Sequence, residues 1–308
     1  MRWSWRLLTI FGIDIKVHAT FVLALLWGGF LWSNGGWTGA LYGVFLTLVL
    51  FVIVVMHELG HSLVAQRYGI SVHDIILLPI GGVARLSHMP EAPVQELVVA
   101  LAGPAVNLAV VLLTGPLLLG GMALNAMTTG ELGLPSLTVP GLLNFVTFLF
   151  MVNVSLFVFN MLPAFPMDGG RVLRALLAMK LPYVRATKLA VAGGRLFAIL
   201  FGVTGILTAN IFLAVVALFV FTGAGAEGQE AVEREKAAQA VRLDPQVPVL
   251  LADTPAHLAF DRLMSSQYAA LAVVDCAGEF VGLVTRTGME RGWAAGLRGP
   301  VSQFIERL

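Results

Sequence analysis

His57, Glu58 and His61 stand together in Met56-His57-Glu58-Leu59-Gly60-His61, at the end of a run from Leu41 to Met56 that carries no charge. Two histidines four residues apart fall on one face of a helix, near enough to hold one metal ion. Glu58 lies beside them, placed to accept a proton from a water rather than to ligate. Ionisable groups at the edge of hydrocarbon are costly to keep without a purpose. The chemistry open to this set is metal-assisted hydrolysis. A hydrolytic zinc ion commonly takes three protein ligands and leaves a position for water. Asp168 is the candidate for the third, since Gly169-Gly170 free the backbone beside it and apolar chain flanks it. Its competing role is a cap on a helix beginning near Arg171.

Composition says what must position these groups. The chain has 308 residues, 58% hydrophobic and only 12% charged, with a mean hydropathy of +0.87. That is too apolar for a soluble globular protein and points to several membrane spans with a smaller soluble part. A formal net charge of +1 offers no large basic patch, which argues against a nucleic-acid partner. Cys276 is the only cysteine, so neither an intramolecular disulfide nor a thiolate zinc site is available. Arg2, Arg6, Asp14 and Lys16 precede the first long apolar run, and no small-residue cleavage site closes it. A retained span is expected there rather than a removed signal peptide.

Apolar length predicts six spans: Val17 to Trp32, Trp37 to Gln66, Val94 to Leu119, Leu142 to Met161, Leu189 to Leu207 and Ile211 to Phe221. The loops Ser33 to Trp37, Met122 to Pro140 and Thr208 to Asn210 contain no Lys or Arg, whereas Arg2, Arg6, Lys16, Arg67, Arg85, Arg171 and Arg174 fall on the other side or at its boundary. By the positive-inside rule both termini are cytoplasmic. The metal motif and Asp168 then share the cytoplasmic ends of spans two and four.

Between spans two and three, Ile75 to Arg85 sets β-branched residues around Gly81-Gly82, a hairpin signal. Strands at membrane depth are tolerated where they line a protein cavity, so a hairpin near the metal site is expected, with a surface loop as the alternative. Asn107, in Ala102-Gly103-Pro104-Ala105-Val106-Asn107 of span three, could donate to a group near the metal or bond between helices. Arg195 sits inside an apolar run, able to snorkel or to pair. Residues 226–245 form a charged, helix-favouring connector, and 246–308 read as β-α-β-β-α, with strands at Ala270 to Val274 and Phe280 to Val284 around a turn at Asp275 to Gly278. So small a unit has a small core and needs a partner to cover it.

The three separated motifs, His57-Glu58-Leu59-Gly60-His61, Ala102 to Asn107 and Asn160-Met161-Leu162-Pro163-Ala164-Phe165-Pro166-Met167-Asp168-Gly169-Gly170-Arg171, together resemble the site-2 protease family of intramembrane zinc metalloproteases. The likeness covers about residues 12 to 225. It implies one catalytic zinc ion held by His57, His61 and Asp168, with Glu58 as the catalytic base. It also implies that Asn160, Pro163 and the Gly81-Gly82 hairpin position the substrate and that Asn107 sits close to the site. His18 is expected to be structural rather than a fourth ligand. The substrates implied are single-span transmembrane proteins, cut within or near the membrane to release a cytoplasmic regulator, in a prokaryotic inner or plasma membrane.

The tail, residues 246–308, resembles one cystathionine-β-synthase (CBS) motif. Such motifs work in pairs, so one copy implies a homodimer. Gly282-Leu283-Val284-Thr285-Arg286-Thr287-Gly288 follows the family's ribose-binding pattern but puts glycine where a carboxylate would hold the ribose hydroxyls. Dimerisation is therefore expected rather than nucleotide sensing. The fold class is then a polytopic α-helical membrane protein, six spans and a short hairpin over residues 1–225, joined to a small cytoplasmic α/β CBS-like domain. Another class of membrane metalloprotease, with a downstream Glu ligand, lacks its segment here. A transporter or silent relative is opposed by ionisable groups gathered at one face and by the presence of Glu58.

Overall fold

The computed structural model describes the chain apart from residues 1–2, 88–91, 131–132, 134, 136, 138, 244–247, 276–279, 295 and 306–308, and at 230–231, 233–243 and 280 it describes backbone alone. Two compact units make up the chain. One comprises Met1–Ala65, Asp74–Ala84 and Val98–Leu162; the other comprises Gln66–His73, Arg85–Leu97 and Pro163–Leu308.

The first unit opens on a hairpin, β1 (Ser4–Ile10) and β2 (Ile13–His18). Phe11 and Gly12 join them at φ 50° and 77°, the positive pair that a two-residue hairpin turn needs. Ile13 and Ile15 alternate inward and are buried. β2 runs parallel to β3 (Val72–Leu78), which is followed by β4 (Gly81–Leu86), in the sheet order β1-β2-β3-β4. The register sets Asp14 opposite Asp74. Lys16 Nζ lies 2.6 Å from the buried Asp74 carboxylate and 3.9 Å from that of Asp14, so one cation offsets two like charges.

Helix α1 (Phe21–Leu31) leads through a 3₁₀ turn at Ser33–Gly35 into α2 (Gly36–Arg67). The two pack antiparallel through small residues: a Cβ on Gly43 would overlap the Gly28 carbonyl, and one on Gly39 the Trp32 carbonyl. The long helices α3 (Pro93–Thr129) and α4 (Leu142–Asn160) follow.

In the second unit, α5 (Asp168–Ala178) precedes the pair α6 (Tyr183–Leu207) and α7 (Ile211–Leu243). Gly205 lies against Ala214, Gly202 against Ala217 and Gly194 against Ala224. Residue numbers rise on one helix as they fall on the other, the signature of an antiparallel hairpin. A buried ion cluster ties the unit together. Arg174, 3% exposed, meets Glu96 at 2.5 Å and Glu227 at 2.9 Å, with its guanidinium over the rings of Phe165 and Tyr183.

The tail follows in the same unit: β5 (Val249–Leu251), α8 (Ala256–Ser265), β6 (Ala270–Val274), β7 (Phe280–Thr285), α9 (Arg286–Ala294) and a 3₁₀ turn at Val301–Phe304. Leu250, Leu263, Leu271, Val273, Val284, Met289 and Phe304 form its core. The opposite face of β6 presents Ala270 and Ala272, both buried, and α7 packs against this strand. Cover for the small sheet thus comes in part from within the chain. The expected turn at Cys276-Ala277-Gly278 lies outside the described residues.

Among the described residues, five helices are long and apolar enough to cross a membrane: Ser33–Arg67, Pro93–Thr129, Leu142–Asn160, Tyr183–Leu207 and Ile211–Gln229. The chain is an integral membrane protein. The expected first span from Val17 to Trp32 is resolved differently. Val17 and His18 end a strand, and the helix after them has 11 residues, about 16 Å, against about 30 Å of hydrocarbon. The last apolar helix also does not stop at Phe221 but continues unbroken through the connector to Leu243.

Candidate metal centre

α2 carries His57 and His61 on one buried face, each 6% exposed. Their rings meet edge to face, with centroids 4.7 Å apart. His61 Nδ1 lies 2.7 Å from the Val99 carbonyl oxygen. A carbonyl only accepts, so Nδ1 carries the proton and Nε2 keeps its lone pair. His57 Nδ1 lies 2.6 Å from Asn107 Oδ1, while Asn107 Nδ2 donates to Asn153 Oδ1 at 2.9 Å and Asn153 Nδ2 donates to the Leu149 carbonyl. That chain of donors fixes the Asn107 amide with its oxygen towards His57, so His57 also protonates at Nδ1.

The two Nε2 atoms are 3.1 Å apart. Neither has a proton to share, so two lone pairs converge on one point and call for a cation between them. Two nitrogens each about 2.05 Å from a tetrahedral zinc stand about 3.3 Å apart, in agreement with this spacing. One ligand atom each from His57, His61 and Asp168 lies within 4.8 Å of the others. A neutral imidazole pair with one carboxylate suits zinc, and the residues present fit the ion.

Asp168 is the first residue of α5 and 8% exposed. The cap position belongs to Met167, and no side-chain cap hydrogen bond forms there. The helix that the competing cap role would start near Arg171 thus begins at Asp168 itself. Carbonyl acceptance by Val99 and amide acceptance by Asn107 are the outer contacts that orient metal-binding imidazoles. Asn107 lies close to the site, as expected, with its amide bonded to His57 and Asn153. Gly103 explains the close approach of α3 to α2, because a Cβ there would overlap the His61 imidazole.

Glu58 is half-buried on the same helix. The β3–β4 hairpin comes up against it as expected: a Cβ on Gly82 would sit 2.9 Å from Glu58 Cγ and 3.0 Å from Val54 Cγ1. Gly81, at φ 140°, holds a conformation that other residues rarely adopt. β4 is an edge strand of its sheet. Asn160 closes α4, half-buried, and Pro163 lies exposed in the turn beyond it. His18 ends β2, where its Nδ1 accepts from Thr20.

The sequence reading missed Asn153, the Val99 carbonyl and the Arg174 cluster. Only Asn153 left a local signal, as an amide in the apolar stretch Leu149 to Phe157. In the tail, Thr285 Oγ1 accepts from the Gly288 N–H at 2.9 Å, so the threonine of the nucleotide-like pattern serves as a helix cap.

The sequence profile of Peptidase family M50 matches residues 45–201. The zinc metalloprotease MJ0392 of Methanocaldococcus jannaschii is 35% identical over 290 residues, covering 92% of this chain and 78% of the relative. Stage IV sporulation protein FB of Bacillus subtilis is 29% identical over 175 residues, covering 56% of this chain and 54% of that protein. Among solved structures, the site-2 protease from Methanocaldococcus jannaschii aligns with a TM-score of 0.52 at 36% identity, over 73% of this chain and 95% of its own. On both the matched profile and the extent of these likenesses, this chain belongs to the M50, or site-2 protease, family of zinc metalloproteases.

Proposed function

We propose that this metalloprotease hydrolyses peptide bonds within or near the transmembrane segments of single-span membrane proteins, in regulated intramembrane proteolysis. His57, His61 and Asp168 hold the ion in this reading and Glu58 is the base. The observation that carries it is the approach of the His57 and His61 Nε2 atoms to 3.1 Å on an apolar helix long enough to cross a membrane. Zinc, when bound, acidifies water and polarises a carbonyl. Glu58 accepts the proton of the attacking water and returns it to the leaving amine. Burial of both histidines keeps competing water away from the imidazoles.

A peptide bond inside a helix is shielded by its own hydrogen bonds and must be unwound before attack. The edge strand β4, seated against Glu58 through Gly82, supports docking of the unwound segment by strand addition, with Asn160 and Pro163 helping to place it. Substrates with Gly, Asn or Pro near the scissile bond should be preferred; equal cleavage of an uninterrupted poly-Leu helix would count against this. The tail is read as a CBS-like module that dimerises without a nucleotide, checked by light scattering of the purified protein with and without residues 246–308. The Lys and Arg distribution supports cytoplasmic placement of residues 3–16 and of the tail in a prokaryotic plasma membrane. That placement needs a sixth crossing, made between Val17 and the start of α2. Reporter fusions at Ser33 and after Leu243 check it.

The test of the activity is a comparison of membrane-protein fragments in cells carrying the wild type or Glu58→Gln. Accumulation of a full-length or pre-trimmed membrane protein only with the variant supports the reading and identifies a substrate. Identical fragment patterns, with the wild type expressed and zinc-loaded, would contradict it.

A further inference from the structure

We propose that Arg85 latches the tail to strand β4 and so sets how tightly substrate is held. The proposal rests on the reading of β4 as the strand that docks substrate. Side chains alternate along β4, so Gly82 faces Glu58 while Val83 and Arg85 project from opposite the Gly82 side. Arg85 Nη1 donates to the carbonyl oxygen of Ala294, the last residue of α9, at 2.6 Å and across 209 positions of sequence. Both partners belong to the second compact unit.

The end of α9 is built to receive a cation. The last carbonyls of a helix have no helical N–H to accept from, and they form the negative end of its dipole. The tail satisfies those of Gly292 and Trp293 with its own chain. Leu297 N–H reaches the Gly292 oxygen and Gly296 N–H the Trp293 oxygen, each at 2.9 Å, with Gly296 at φ 91°. Arg298 Nη1 adds bonds to the Trp293 and Leu297 carbonyls at 3.3 and 2.9 Å. Ala294 takes its donor from Arg85, and a charged donor makes the stronger bond. This helix end is fixed in turn to the core of the tail. Trp293 packs on Phe260 with ring centroids 4.6 Å apart, and a Cβ on Gly292 would overlap the Phe304 ring.

An edge strand accepts a partner most tightly when it is already held in place, because ordering it at the moment of binding costs affinity. Near its start β4 is held by Gly82 against Glu58 and Val54, and β3 pairs along one side of it. Beyond its far end the Ser87 N–H closes the hairpin onto the Ser71 carbonyl at 2.9 Å. Arg85 adds the tail to these supports. Displacing the tail therefore weakens substrate binding while His57, His61 and Glu58 stay as they are.

Steady-state cleavage of a single-span reporter by the full-length protein, as wild type, Arg85→Met, Gly296→Val and the two combined, tests this. Valine at position 296 strains a φ of 91° and so moves the Ala294 carbonyl without altering β4. Each single variant should raise KM about fivefold with kcat and zinc content unchanged, and the combination should raise it no further. Arg85→Lys keeps a charged donor and should recover most of the affinity. Hydrogen exchange reads the latch without substrate: the β4 amides should exchange faster in both single variants. If the wild type cleaves no reporter, the activity reading fails and exchange alone decides the latch. If Gly296→Val does not fold, Arg85→Met and its lysine counterpart decide it. An unchanged KM in Arg85→Met beside an active wild type, KM increases that multiply in the combined variant, or unchanged exchange at β4 would overturn the proposal.

Discussion

Replacing Asn107 by leucine removes one side chain that serves two others. In the wild type its amide accepts from His57 Nδ1 at 2.6 Å and donates to Asn153 at 2.9 Å, and both Asn107 and Asn153 are 0% exposed. The variant leaves the His57 N–H and the Asn153 oxygen without their partner in a site that water does not reach. Each such group costs about 1–3 kcal/mol, so a loss of about 2–6 kcal/mol of folding stability is expected. Loss of the group that orients a metal-binding imidazole typically costs about 10–100-fold in metal affinity, or about 1.4–2.7 kcal/mol. Asn153→Leu is the graded control. It removes the support for Asn107 but leaves the acceptor on His57, so its effect on zinc should be smaller. Competition of the purified proteins against a zinc chelator measures the affinity, and thermal unfolding in detergent measures the stability. A folded Asn107→Leu protein that binds zinc as tightly as the wild type would refute the assignment of Asn107 as the group that orients His57.

Gly103→Ala should reduce zinc binding at least about tenfold, because the new methyl meets the His61 imidazole; chelator competition reads it. Gly82→Val presses on Glu58 Cγ rather than on the histidines, so cleavage should fall while zinc content stays unchanged, as metal analysis alongside a cleavage assay would show. Arg174→Met leaves Glu96, 2% exposed, without its ion partner and should destabilise the protein by about 3–5 kcal/mol, read by thermal unfolding. Dialysis against a strong chelator should abolish cleavage, and added zinc should restore it.

Much of the metal site was legible from local pattern. The spacing of His57 and His61 means the same thing on any helix, and the helix was legible from the charge-free run before it. The Gly81-Gly82 hairpin and the β-α-β-β-α order of the tail also follow from residues close in sequence. Three features were not legible, for two physical reasons. The β1–β2 hairpin is masked by the apolar length around it, although Ile13 and Ile15 carry a period-two alternation and Phe11-Gly12 the turn. The apolar end of β2 runs on into α1, so Val17–Trp32 reads as one span in the sequence. The partners of the site are the other case. Val99 offers a backbone carbonyl that no side chain announces, and Arg174 meets Glu96 across 78 residues of sequence. Such pairings exist only once the helices have packed.

Purified wild type, Glu58→Gln and Asp168→Ala, assayed together for zinc content and for cleavage of a single-span reporter, test the catalytic assignment most directly. Glu58→Gln should keep about one equivalent of zinc and cleave nothing, and Asp168→Ala should lose both zinc and cleavage. Cleavage by Glu58→Gln at the wild-type rate, or wild-type zinc affinity in Asp168→Ala, would contradict it.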